Sequence, residues 1–275
     1  MDEDWDNLLI LDACRYDLFE TANASFELAS RASLESRRSR GSNTPEFVSE
    51  NFDDGPYLDT VYITANPQVN LNTDAEFFDL VNVWEDSWDD NLETVPPEPV
   101  TTAARATAKR APEKRLIVHY NQPHYPFIGE TGQEIATHAG MEYTRRVLEG
   151  EAPERDHDTV WEQLKDGTAS VDKVWEAYYE NLVLVLDEAL TLVDELPGRT
   201  VITSDHGNLL GEFAWPFPIR LYGHPGHIHT KHLVSVPWLI FESDERKTIT
   251  AGDEGVKGRT SKTDVSDRLE ALGYM

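Results

Sequence analysis

Three carboxylate and imidazole side chains stand where short apolar runs stop: Asp12 after residues 7–11, and Asp205 and His206 after residues 199–203. A mixed oxygen and nitrogen set of this kind suits a divalent ion such as Zn or Mn. The single cysteine, Cys14, cannot form an internal disulfide or a thiolate site, so a metal here would rest on carboxylate and imidazole. A second set is Ser39-Arg40-Gly41-Ser42-Asn43-Thr44-Pro45-Glu46. Pro45 reads as the first residue of a helix, which places the Thr44 hydroxyl at a helix N-terminus, where free N–H groups and the dipole favour an anion. Arg31, Arg37, Arg38 and Arg40 crowd the same ten residues. Positive charge beside candidate hydroxyl nucleophiles fits a phosphate or sulfate ester. The competing reading makes Thr44 a plain N-cap and pairs the arginines with surface acids. A third set runs from Tyr222 to His232 and holds four of the nine histidines, His224, His227, His229 and His232. That density suits metal ligation or acid–base work, and spacing does not say which of the four acts.

These residues need a scaffold that gathers them. Five runs, 7–11, 60–64, 115–120, 199–203 and 236–241, are β-rich, almost wholly apolar and bounded by polar or Pro/Gly residues, the pattern of parallel strands covered on both faces. Between residues 171 and 196, Val174, Tyr178, Leu182, Leu186, Ala189, Val193 and Leu196 recur at helical spacing, and Pro197-Gly198 ends the run. A helix, a tight turn and then a strand form an α/β crossover, and the alternation predicts a doubly wound, mostly parallel sheet with helices on both faces. In such a sheet ligands bind beyond the carboxyl ends of the strands, which is where Asp12, Asn66, His124, Asp205 and His206 fall. Residues 82–99 read as a surface excursion, 150–167 as a charged loop with a short helix near 160–164, and 244–275 as a polar tail ending in a short helix. The whole is expected to be one α/β domain with its core in residues 5–243.

Composition narrows the partners. The chain carries 51 acidic against 24 basic residues in 275, a formal charge of −27. Such a surface repels phosphate backbones and excludes nucleic acid as a partner. The acids are spread along the chain rather than gathered in a tail, as expected of a protein from a salt-rich habitat. No apolar run approaches the roughly 20 residues that span a bilayer, and no signal-peptide pattern opens the chain, so a cytoplasmic location is expected.

The order of motifs resembles the alkaline phosphatase superfamily, in its sulfatase-like and phosphoglycerol-transferase-like branch, here of haloarchaeal type. Leu11-Asp12-Ala13-Cys14-Arg15-Tyr16-Asp17 is similar to the family's opening strand and turn, Gln122-Pro123-His124-Tyr125-Pro126-Phe127 to its Pro-His segment, and Thr203-Ser204-Asp205-His206-Gly207 to its Ser-Asp-His-Gly block. His227 to Pro237 and Leu269 to Tyr274 resemble later family segments. The resemblance implies an alkaline-phosphatase-like fold with a reduced C-terminal subdomain, and a metal-dependent hydrolase or transferase acting on a small phosphate or sulfate ester or a glycan-linked substrate. It implies that Asp12, Asp205 and His206 hold a divalent ion (Zn, Mn, Mg or Ca), one ion rather than two. Thr44, rather than Ser42, is the implied nucleophile, with Arg15 or Arg40 and a histidine neutralising developing charge. His224 or His227 would contact substrate oxygens or a second metal, and Ser42 and His124 would line the pocket. No Cys/Ser-x-Pro-x-Arg motif is present, so the resemblance does not extend to formylglycine chemistry. A non-catalytic relative binding an anionic glycan or nucleotide, and a sulfatase working without formylglycine, are the alternatives.

Overall fold

The computed structural model describes residues 3–52, 55–135, 141–150, 158–213 and 216–257. In chain order the elements are β1 (Asn7–Leu11), α1 (Tyr16–Ser25), β2 (Ser33–Arg38), α2 (Thr44–Phe52), β3 (Tyr57–Thr64), α3 (Gln68–Asn72), β4 (Glu76–Asn82), α4 (Val83–Asp86), α5 (Pro97–Arg110) and β5 (Arg115–Tyr120). They continue with α6 (Met141–Leu148), α7 (Val160–Asp166), α8 (Val171–Glu195), β6 (Thr200–Thr203), β7 (Leu209–Phe213), β8 (Arg220–Gly223), α9 (Lys231–Val234), β9 (Ser235–Phe241) and β10 (Val256–Lys257).

Eight strands form one sheet in the order β10-β4-β3-β5-β1-β6-β9-β2, and β7 pairs with β8 in a separate hairpin. The five from β4 to β6 in that order run parallel. Their alternating side chains feed two cores. Leu9, Leu11, Leu116, Val118 and Ile63 face α5 and α8, while Leu8, Ile10, Ile117, Tyr62 and Val201 pack with Phe47, Val48 and Phe52 of α2. Helix α8 buries Val174, Tyr178, Leu182, Leu186 and Ala189 as its periodicity predicts, and begins where Ser170 accepts the Lys173 N–H.

The α/β expectation is met: a mostly parallel sheet with helices on both faces. Strand β9, expected to be parallel, is antiparallel to β6. A continuous apolar run reports burial on both faces and carries no information on direction. Strand β2 was not expected, because Ser33-Leu34-Glu35-Ser36-Arg37-Arg38 is mostly polar; as the edge strand beyond β9 it needs little apolar surface. The stretch read as a surface excursion instead buries Val83, Trp84 and Val95. The short helix expected at 160–164 is α7, closed by a Thr159/Glu162 capping box. The proposed C-terminal helix lies outside the described residues.

Candidate active site

Parallel pairing brings the carboxyl ends of β3, β5, β1 and β6 side by side, with Thr64 opposite His119, Leu11 opposite Tyr120 and Ile10 opposite Thr203. Asp12 and Asp205, one or two residues beyond their strands, are both fully buried. Between them the chain turns at Ala13, a non-glycine residue at φ 60°. That turn aims the Ala13 N–H at Asp205 Oδ1, 2.9 Å away, and the His206 N–H donates to the same oxygen at 2.9 Å. The Tyr178 hydroxyl of α8 donates to the Ala13 carbonyl and pins the turn from below. One carboxylate oxygen of Asp205 is thus held by backbone, and the other faces the site.

Thr44 reaches that second oxygen. Asn43, not Thr44, caps α2: its Oδ1 accepts the Glu46 N–H at 2.9 Å. The Thr44 hydroxyl is therefore not spent on capping, and Pro45 is the second helical residue rather than the first. The hydroxyl donates to Asp205 Oδ2 at 2.8 Å and lies 3.3 Å from His206 Nε2. Its side chain shares the buried centre with Asp12, since the Asn66 amide reaches both Asp12 Oδ2 (2.5 Å) and Thr44 Oγ1 (3.5 Å).

His119 completes the centre and escaped sequence analysis. It is the one ionisable residue in the inner part of β5, on the face shared with Ile117, so strand alternation directs it at the α2 side. Its Nε2 lies 3.8 Å from both Asp12 Oδ2 and Asp205 Oδ2, and its Nδ1 is 2.9 Å from the Tyr62 hydroxyl. An imidazole near the end of an apolar strand was the available signal.

The electrostatics call for a cation. Burial, with the Asp205 charge beside it, pushes the Asp12 carboxyl well above the usual range, against the Asn66 hydrogen bond. Burial also opposes charge on Asp205, but His206, His119, the Ala13 N–H and the Thr44 hydroxyl hold it below the ordinary value. Two carboxylates this close cannot both ionise freely without a counter-charge. Burial lowers His119 to about 4, leaving its imidazole neutral and able to ligate. Asp12 Oδ1 and His119 Nε2 are buried without any hydrogen-bond partner. Ligand atoms of Asp12, His119 and Asp205 all fall within 4.8 Å of one another. Oxygen and imidazole donors, two of them orphaned, fit a divalent ion of the Zn or Mn type.

Above this centre sit two more imidazoles. The rings of His124 and His224 are 4.9 Å apart, and His224 lies 4.9 Å from His206. Burial and then the His206 charge lower His124 to about 4; burial drives His224 well below its ordinary value. His224 Nδ1 meets Asn208 Oδ1 at 2.8 Å, while Asn181 of α8 clamps the carbonyls of His124 (3.1 Å) and Pro126 (3.0 Å).

The remaining expected residues are placed elsewhere. Arg15 is buried and committed to Asp17 (2.6 Å) and Glu212 (2.6 Å), and its Nη2 donates to His232 Nδ1 at 2.8 Å. It braces the turn and the β7–β8 hairpin. Arg40 is exposed and donates to the Glu50 carbonyl at 3.0 Å, along α2 and away from its N-terminus. Ser42 is buried but donates to Glu46 Oε2 (2.7 Å) and the Pro225 carbonyl (3.1 Å), which ties the α2 entry to the histidine loop. The His227 side chain is 89% exposed, with Nδ1 3.5 Å from Glu46 Oε1.

No family model matches the chain, and no curated protein matches it. Solved structures do, and they show the fold: the chain shares its α/β fold with phosphoethanolamine transferases, a 2-O GAG sulfatase and a phosphonate monoester hydrolase. The integral membrane protein lipooligosaccharide phosphoethanolamine transferase A (EptA) from Neisseria meningitidis matches with TM-score 0.54 at 15% identity, over 86% of this chain and 47% of that one. The C-terminal periplasmic domain of EcEptC from Escherichia coli, in complex with Zn, matches with TM-score 0.53 at 13% identity, over 86% of this chain and 72% of that one. The phosphonate monoester hydrolase of Agrobacterium radiobacter matches with TM-score 0.51 at 12% identity, over 97% of this chain and 73% of that one. The chain thus spans about half of the first, 47%, and under three quarters of the others.

Proposed function

We propose that this chain is a metal-dependent enzyme that hydrolyses or transfers a phosphate or sulfate ester, with Thr44 as its nucleophile. The observation that carries the reading is the Thr44 hydroxyl, buried at the start of α2 and hydrogen-bonded at 2.8 Å to Asp205 in a centre whose Asp12 and His119 atoms are orphaned. The solved structures of the same fold include a transferase, a Zn complex and a phosphonate monoester hydrolase, which supports the class of reaction.

Asp12, Asp205 and His206, with His119 beside them, would hold the ion. When bound, a divalent ion in this place lowers the pKa of a neighbouring hydroxyl and offsets charge on an ester oxygen. The chain's own residues do the rest. Asp205 Oδ2 orients Thr44 through their hydrogen bond; as Oγ1 attacks, its proton passes to solvent water, and the new Oγ1–phosphorus (or sulfur) bond forms as the bond to the leaving oxygen breaks. That oxygen takes a proton from water, and a second water or an acceptor alcohol later displaces Thr44 and returns the enzyme. His124 and His224 face His206, and because their Nδ1 atoms donate to the Tyr125 carbonyl and to Asn208 Oδ1, each neutral ring keeps Nε2 as an acceptor for a hydroxyl of the substrate or of the attacking water.

The test is a panel of chromogenic phosphate and sulfate esters with added Zn, Mn, Mg or Ca, at several salt concentrations. The parent is expected to turn over at least one ester. Thr44→Ala is expected to lose turnover by roughly a thousandfold or more while retaining metal. Turnover that survives Thr44→Ala would remove the nucleophile. Binding of esters with no turnover under any metal would make the chain a non-catalytic anion binder.

A further inference from the structure

The arginine cluster of residues 31–40 is not used by the centre just described, and its positions show another use. Ser39 turns inward, and its hydroxyl donates to the Asp205 carbonyl, forming a wall behind the catalytic carboxylate. On the far side of that wall lies a pocket of about 450 Å³. This is within the roughly 300–1,000 Å³ of small-molecule sites and too large for a bare oxyanion alone. Arg37, Arg38 and Arg40 line it; Asp12, Thr44, His119, Asp205 and His206 do not. Glu3 lines it too, but in a chain of net charge −27 three arginines against one carboxylate are a local reversal of sign.

The apolar side is equally definite. Trp5, Phe47 and Trp238 also line the pocket. The Arg37 guanidinium lies over the Trp238 ring at 5.8 Å, and its pairs with Glu35 and Glu3 involve carboxylates that are themselves about half exposed, at 46% and 56%. A guanidinium beside an indole offers N–H donors to the tetrahedral oxyanion of an aromatic acid whose ring meets the same indole. The indole N–H of Trp5 is buried without a hydrogen-bond partner, in a residue only 2% exposed. A donor in that state favours a ligand that brings an acceptor.

We propose that this pocket is a second binding site, separate from the Thr44 centre, for a flat aromatic anion: a ring held among Trp5, Phe47 and Trp238, carrying a sulfo or phospho group that Arg37 and Arg40 bind. The proposal does not depend on the catalytic reading.

Naphthalene-2-sulfonate is the probe, because its carbon–sulfur bond is not an ester and an ester-cleaving centre cannot consume it. Isothermal titration into the full chain should show one site. Affinity should fall about tenfold or more with Arg37→Ala and with Arg40→Gln, the latter on an exposed residue that carries the test if the former does not fold. Trp5→Phe, which keeps an apolar ring and removes the N–H, should weaken binding less. Thr44→Ala should leave it unchanged. Naphthalene-2-methanol and inorganic sulfate, tried separately, should each bind much more weakly. The proposal is overturned if both arginine variants bind like the parent, if the neutral analogue binds as tightly as the sulfonate, or if Thr44→Ala abolishes binding and so places the probe in the catalytic centre.

Discussion

Asp205 carries more of the site than any other side chain: one oxygen takes two backbone N–H groups, and the other takes the Thr44 hydroxyl. Converting it to an amide would remove a negative charge and set an NH₂ against donors already pointing there. Asp205→Asn is therefore expected to bind at least about tenfold less Zn or Mn than the parent, read as metal content after chelation and readdition; equal content would remove the metal assignment. His119 is the corresponding surprise. If its Nε2 ligates, Nδ1 must carry the proton and donate it to the Tyr62 hydroxyl 2.9 Å away. Tyr62→Phe, at a residue fully buried behind the site, should then cost roughly 10- to 100-fold in metal affinity while the fold survives. Unchanged affinity would leave His119 a packed core histidine.

At the scale of elements, the joint that matters is between the start of α2 and the histidine loop before β9. Glu46 makes it: its carboxylate accepts from the Ser42 N–H and hydroxyl, from His229 Nε2 at 2.6 Å and from the His227 N–H at 3.3 Å. Burial would raise this carboxyl, but those donors win and bring it from 4.5 down to about 2. Between these values the unfolded chain binds more proton than the folded one, so stability rises with pH across the window. The contribution is complete above about 4.5 and disappears as pH falls toward 2. Glu46→Gln should accordingly melt below the parent at neutral pH, and the gap should close as the solution is acidified through that range. A gap that stays constant with pH would show that the ionised carboxylate is not what holds the loop. The α8 helix plays the matching part on the opposite side, with Tyr178 on the Ala13 turn and Asn181 on the His124 segment.

For the whole molecule, a charge of −27 makes self-repulsion the dominant surface term at low ionic strength. Added salt shortens the screening length from about 10 Å at 0.1 M to about 3 Å at 1 M. The melting temperature is thus expected to rise by several degrees between about 0.1 M and about 1 M KCl; a flat or falling profile would count against a salt-rich habitat. Among the described residues no helix is long and apolar enough to cross a membrane.

Much of this was legible in the residues alone. Buried strands announce themselves by apolar runs, so β1, β3, β5, β6 and β9 and the long helix α8 could be placed, and with them the rule that chemistry gathers at strand ends. Asp12, Thr44, Asp205 and His206 followed from that rule and from the motif order. What the chain could not reveal was geometry across elements. Whether a hydroxyl caps its own helix or reaches a carboxylate 161 positions away depends on how α2 docks, and Asn43 settled it by taking the cap. The edge strand β2 has no hydrophobic signature because an edge needs none, so its arginines read as part of the nucleophile's surroundings when they face a pocket behind it. His119 is chosen by strand register, which aligns its imidazole with two aspartates from other strands. Local pattern depends on burial and backbone propensity, which each segment carries in its own sequence; the meeting of side chains depends on long-range packing, which exists only once the chain has folded.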